Sequence, residues 1–170
     1  IRIDWDFYIR GLEAENSRLC QLLKDNRSLL CDCQERGNAA VKRLPQVAAI
    51  CHNDMDCKNI LWNGRDYRII DLECLSYSNP FLELMELALC WSGYEERAVD
   101  FELLRVFVRS YLAAGGSAPE DWEAVYDSNC GRLEWLEYNI KRVLGIDCGA
   151  DEKEQGISEV RKTVEQIVYY

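Results

Sequence analysis

The stretch Ile60–Ile70, ILWNGRDYRII, constrains the fold of this chain most. Two short, apolar, β-prone runs flank Asn63-Gly64, a dipeptide that favours the positive φ angles of a tight hairpin turn. An antiparallel hairpin returns the chain to where it began. Asn59, just before the first strand, and Asp71, just after the second, should therefore lie close together. Asp54, five residues before Asn59, sits on the loop entering the same end. Three oxygen-bearing side chains thus converge on one rim, a ligand set that hard cations such as Mg²⁺ take.

Most of the remaining sequence has helical periodicity. Leu12, Leu19, Leu22, Leu23, Leu29 and Leu30 recur at near-helical spacing and predict helix over 5–35. Gly37-Asn38 reads as a break, Pro45 as another, and QVAAI (46–50) as a short apolar lead into the hairpin region. After Asn79-Pro80 the pattern predicts helix to 93 and again over 95–114. AAGGSAPED is a loop, with Ser117 or Pro119 opening a helix near Asp121. Leu133, Leu136, Ile140, Val143 and Leu144 share one face of a helix over 131–144. GIDCGADEKEQG reads as an acidic connector before a last helix over 157–169. The fold class is mainly α with a small β-hairpin, one domain over 1–170. It comprises leading helices (1–45), a loop and hairpin (46–75) and a helical subdomain (80–170).

The 170 residues suffice for a real core. No apolar run reaches the ~18 residues of a membrane span, and no secretory signal is visible. The formal charge of −10 argues against nucleic acid, which needs a basic face, and is compatible with a cationic substrate as well as with simple solubility. Nine cysteines form no C-x-x-C, and one histidine allows no Cys/His zinc pattern. The expectation is reduced, buried thiols in a cytoplasmic protein. The start at Ile1 rather than Met suggests a fragment of something longer.

The chain's only histidine, His52, stands in H-N-D-M-D-C-K-N, followed by an apolar strand that ends in Asp71. The spacing His-x-Asp-x-x-x-x-Asn, then Asp, suits phosphoryl transfer. That chemistry needs positioning, charge neutralisation and a carboxylate to orient the attacking hydroxyl. A calcium-loop reading of the same residues fails, since counting from Asp54 the sixth position is Asn59 and the twelfth Arg65, where Gly and Glu are required.

HNDMDCKNILW with RIIDLE resembles the aminoglycoside phosphotransferase and choline kinase family of kinase-like small-molecule phosphotransferases. The resemblance covers 46–144 and extends to NPFLELMELAL, where Glu83 stands in the family's Asp position, and to WLEYNIKRVLG. It implies a protein-kinase-like C-terminal lobe, with Asp54 as catalytic base and Asn59 and Asp71 as ligands of Mg²⁺ beside ATP or GTP. His52 would brace the loop, and Glu73 would be a supporting or secondary metal ligand. The family's N-terminal β-lobe, with its nucleotide-clamping loop and Lys–Glu pair, has no counterpart before residue 46. The missing lobe would thus be a partner of this chain, and the chain alone would be inactive. The implied reaction carries the γ-phosphoryl group to a hydroxyl of a small, aminoglycoside- or choline-like acceptor.

Glu134, Trp135 and Tyr138 on the late helix are candidate substrate contacts, since acidic and aromatic groups suit an ammonium ion. Against this, Glu137–Lys141 has the spacing of an ordinary surface pair, and Trp135 has the character of a core residue. Trp91, Tyr94 and Trp122 are likewise expected in the core. Two other readings use the same residues: a non-catalytic, pseudokinase-like module, and a helical interaction domain whose hairpin rim holds metal only structurally.

Overall fold

A computed structural model describes residues 1–129 and 131–170, without the side chains of 131 and 150. The described residues form seven α-helices and four short strands, grouped in two compact units.

The first unit joins the two ends of the chain, residues 1–42 and 130–170. It contains α1 (Trp5–Glu15), α2 (Ser17–Val41), α6 (Gly131–Leu144) and α7 (Lys153–Tyr169). Its core takes Leu12, Leu19, Leu23 and Leu30 from the first pair of helices. Leu133, Leu136, Ile140 and Val143 come from α6, and Val160, Val164 and Ile167 from α7. The leucine spacing thus marks the buried stripe correctly.

The break within this helical stretch falls at Asn16, not at Gly37-Asn38. The Asn16 backbone N–H closes α1 on Leu12 O, and its side chain accepts from Leu19 N–H at 3.1 Å to open α2, the double use a short polar residue permits between two helices. Gly37 is buried inside α2. Asn38 continues the helix while its side-chain amide accepts from Ile1 N at 2.6 Å and donates to Ile1 O at 2.7 Å. Here tertiary contacts override a weak local breaker.

At its N-terminal end, α7 absorbs part of the expected connector. Lys153 bonds Glu15 at 2.7 Å, and Glu152, just ahead of the helix, bonds Arg142 at 2.7 Å. Gly156 lets α7 lie against α6. A Cβ there would stand 2.9 Å from both the Asn139 carbonyl oxygen and the Arg142 Cβ, closer than packed carbon atoms tolerate.

The second unit is residues 43–129. It holds two antiparallel pairs: β1 (Ala49–Cys51) with β4 (Ser76–Ser78), and β2 (Ile60–Asn63) with β3 (Asp66–Ile69). The second pair is the expected hairpin. Asn63 and Asp66 are paired, so the turn residues are Gly64-Arg65, with the positive φ (63°) on Gly64 alone. The β1–β4 pair is an addition to the sequence reading, because neither three-residue run carries a periodic signal of its own.

Three helices complete the unit: α3 (Pro80–Trp91), α4 (Phe101–Ala113) and α5 (Trp122–Ser128). Asn79, Asp100 and Asp121 cap them through side-chain bonds to backbone N–H groups. The expected helix from 95 begins only at Phe101. The chain first turns through Gly93, at φ 93° against the Ala98 carbonyl, and Asp100 then supplies the cap.

Candidate active site

The site grows from the open end of the β2–β3 hairpin. Ile60 pairs with Ile69, which sets Asn59 opposite Ile70, and the ladder runs one bond further as Ile70 N–H donates to Asn59 O at 3.0 Å. His52 Nε2 lies 3.0 Å from Ile70 O. A carbonyl only accepts, so Nε2 carries the proton, and the buried Nδ1 has no partner among the described residues. The backbone of Ile70 is thus gripped twice, its N–H by Asn59 and its C=O by His52. Asp71 follows directly in the left-handed region (φ 63°, ψ 56°), which Asp tolerates better than most residues.

Asn59 is 3 % exposed. Its Nδ2 donates to Asp54 O at 2.7 Å and its backbone N–H to Asp56 O at 2.9 Å. Its Oδ1 takes no hydrogen bond among the described residues, which leaves a neutral oxygen ligand on offer. Asp54, Asp71 and Glu73 are exposed, and their carboxylates make no ion pair or hydrogen bond among the described residues. The structure thus brings the peptides bearing Asp54, Asn59 and Asp71 into one bonded framework and leaves hard oxygen donors uncommitted. Oxygen donors of this kind are those a magnesium ion takes.

Two residues position the loop: Asn53, to which the sequence reading gives no role, and Glu83, which it places only in the family's Asp position. Asn53 stands at φ 60° and ties the loop to β4. Its Nδ2 lies 3.0 Å from Cys51 O, Cys74 O and Ser76 Oγ, and its Oδ1 accepts from Ser78 Oγ at 2.6 Å. Glu83 in the first turn of α3 accepts from Asn53 N–H at 2.8 Å. The extra methylene relative to Asp does not prevent the bond. The available signals were an Asn between His52 and Asp54, where a left-handed residue is required, and an acid just inside a capped helix.

Around the hairpin, Leu61, Trp62, Tyr67, Ile69, Ile70 and Leu72 are all exposed. Beside it lies a cleft of about 570 Å³ lined in part by Ile50, Tyr67, Ile69, Glu83, Leu87 and Tyr111.

Glu134, Trp135 and Tyr138 lie on α6, in the first unit. Trp135 is 43 % exposed rather than core. It stacks on Tyr138 at 5.5 Å and donates from Nε1 to Glu159 at 3.3 Å. Arg142 lies 4.7 Å over the Tyr138 ring, so a cation of the chain itself already covers one face. Glu137 pairs with Lys141 at 3.3 Å and also accepts from Tyr8 Oη at 2.5 Å; burial, with the Glu137 carboxylate, holds the Tyr8 hydroxyl well above the usual tyrosine range. Of the other aromatic residues expected in the core, Tyr94 is buried, whereas Trp122 is exposed.

The cysteines are also less uniformly buried than expected. Cys20 and Cys51 are buried, but Cys57 and Cys74 are exposed. Cys57 Sγ lies 3.9 Å from Cys90 Sγ, and Asp56 Oδ1 4.0 Å from the same Cys90 sulfur. Burial, with Cys57 and Asp56 alongside, pushes the Cys90 thiol up to about 12.

Comparison with known proteins bears on the family and the fold of the chain. The family model described as the phosphotransferase enzyme family matches residues 3–127. An uncharacterised kinase-like protein of Caenorhabditis elegans is 24 % identical over 140 residues, which cover 72 % of this chain and 37 % of that protein. The crystal structure of a spectinomycin phosphotransferase, in complex with ADP and spectinomycin, superposes with a TM-score of 0.69 at 13 % identity. It covers 96 % of this chain and 54 % of that one, a likeness of fold. The chain thus spans about a third to a half of the proteins it matches. Among the described residues no helix is long and apolar enough to cross a membrane.

Proposed function

The chain belongs to the phosphotransferase enzyme family, and on that premise we propose that it is the catalytic-loop portion of an enzyme that moves the γ-phosphoryl group of ATP, or GTP, to a hydroxyl of a small cationic molecule. The observation that carries the reading is the double grip on Ile70, which fixes Asn59 and Asp71 at one hairpin end beside the Asp54 backbone. Asp54 is the base. Its uncommitted carboxylate orients the acceptor hydroxyl and takes its proton as the oxygen attacks the γ-phosphorus and the nucleoside diphosphate leaves. Asn59 and Asp71 would hold magnesium, with Glu73 as a secondary ligand. The ion would neutralise phosphate charge and clamp the nucleotide when bound. His52 holds the loop to the hairpin and does no proton transfer, because its Nε2 proton is committed to Ile70 O. The exposed apolar residues of the hairpin offer a face for the nucleotide-clamping remainder of the protein, and the excess negative charge favours a cationic acceptor.

The test is nucleoside diphosphate release by the intact protein against a panel of amino-alcohol and aminocyclitol acceptors. Asp54→Asn should lower kcat by about 10²–10⁴-fold with nucleotide binding retained. Unchanged turnover in that variant would remove Asp54 from the chemistry. The isolated chain is expected to bind nucleotide weakly and to turn over little or not at all.

A further inference from the structure

The pair Cys57 and Cys90 is not used by the phosphotransfer reading. The two residues are 33 positions apart in sequence, one in the 3₁₀ turn Cys57–Asn59 and the other in the last turn of α3. Their sulfurs are too far apart for a disulfide bond of about 2.0 Å. The 3.9 Å separation does, however, suit two thiolates on one tetrahedral zinc ion: at Zn–S distances near 2.3 Å they stand about 3.8 Å apart. A third donor is present. Asp56 Oδ1 faces Cys90 Sγ at 4.0 Å, and the three donor atoms all lie within 4.8 Å of one another.

The carboxylate is held for this role. Its other oxygen, Oδ2, pairs with Lys58 Nζ at 3.4 Å, and the Asp56 carbonyl is fixed by Asn59 N–H. We propose that Asp56, Cys57 and Cys90 form a binding site for one thiophilic divalent cation, zinc, with a fourth position open to water on the exposed Cys57 side. The site is chemically distinct from the oxygen rim of Asn59 and Asp71: sulfur selects a softer ion than magnesium. Binding displaces both thiol protons to solvent as two Zn–S bonds form, with no redox change. It also staples the loop that carries Asp54 and Asn59 to α3, so zinc should stiffen the loop.

The test uses the full 170-residue chain, reduced with a phosphine and stripped of metal, then titrated with Zn²⁺ against a chromophoric chelator and separately with Co²⁺. The expected result is one tight equivalent, a sulfur-to-cobalt charge-transfer band with tetrahedral character, and a higher melting temperature with zinc. Cys57→Ser and Cys90→Ser should each weaken binding at least about 100-fold. Asp56→Asn should weaken it less, and Cys31→Ser, as control, should leave it unchanged. Should a serine variant fail to fold, zinc protection of Cys57 and Cys90 from alkylation in the parent chain, read by mass spectrometry, decides the matter. The proposal is overturned if the reduced chain binds no stoichiometric zinc, if the Cys57→Ser/Cys90→Ser double variant binds as well as the parent, or if the pair is found only as a disulfide and does not take up zinc after reduction.

Discussion

Asn53 offers the sharpest test of how this loop is held. Its amide offers two hydrogens to three acceptors at 3.0 Å and accepts one hydroxyl, so it makes at most three full bonds at once. The residue is exposed, which puts each bond toward the low end of the usual net value of about 0.5–1.5 kcal/mol. Asn53→Gly removes all of them but keeps access to φ 60°, and should cost about 1.5–3 kcal/mol. Asn53→Ala loses the same bonds and adds the strain of a Cβ in the left-handed region, a further ~1 kcal/mol. Asn53→Asp keeps the backbone preference but turns a carboxylate toward Cys51 O and Cys74 O, and should fall below Ala. Urea unfolding, followed by both far-ultraviolet circular dichroism and tryptophan fluorescence, gives the comparison where the two probes coincide. The expected order of stability is Asn, Gly, Ala, Asp. Equal stability of all four, or Ala above Gly, would refute the reasoning, because the first denies the bonds and the second the strain.

The other predictions concern packing and charge. Leu136, fully buried in the first unit, should cost about 2–5 kcal/mol on truncation to Ala, seen as a lower urea midpoint. Gly156→Ala should destabilise despite alanine's better helix propensity, because its Cβ meets the Asn139 carbonyl oxygen at 2.9 Å; a stabilised variant would show that α7 shifts freely. Asp121 is held below the usual carboxylate range by the Ala124 N–H and then by Arg43. Its contribution to stability is therefore complete above the unfolded carboxylate value of about 4 and is lost as pH falls through its lower folded value. Asp121→Asn keeps a good cap but not the charge, so its stability should fall less steeply than the parent's between about pH 5 and pH 2, measured as melting temperature across that range.

What was legible in the sequence was local. The hairpin around Asn63-Gly64 and the leucine stripes of α1, α2 and α6 each announce themselves within a dozen residues, whereas the helix expected to open at Ser117 or Pro119 is capped by Asp121 instead. The nearness of the Asp54, Asn59 and Asp71 backbones was legible for the same reason, since a hairpin makes spatial neighbours of its two ends. What was missed depends on distant partners. Gly37 and Asn38 read as a break because Ile1, whose backbone bonds the Asn38 side chain, lies 37 residues away. Glu83 could be judged only once its bond to Asn53 was seen. Cys57 and Cys90 lack any zinc spacing because a loop and a helix end, rather than one short motif, bring them together.

The joining of the chain's two ends in one unit also bears on how the protein emerges from the ribosome. Residues 43–129 are contiguous and can pack as soon as they are made. Leu12, Leu19, Leu23 and Leu30 are made earlier, yet they wait for Leu133, Leu136, Val160 and their neighbours before the core they share is closed. Throughout synthesis of Arg43–Asn129, α1 and α2 therefore present an unfinished leucine face to solvent. A nascent chain halted at Asn129 is the species in which holdase chaperones should bind this protein most strongly.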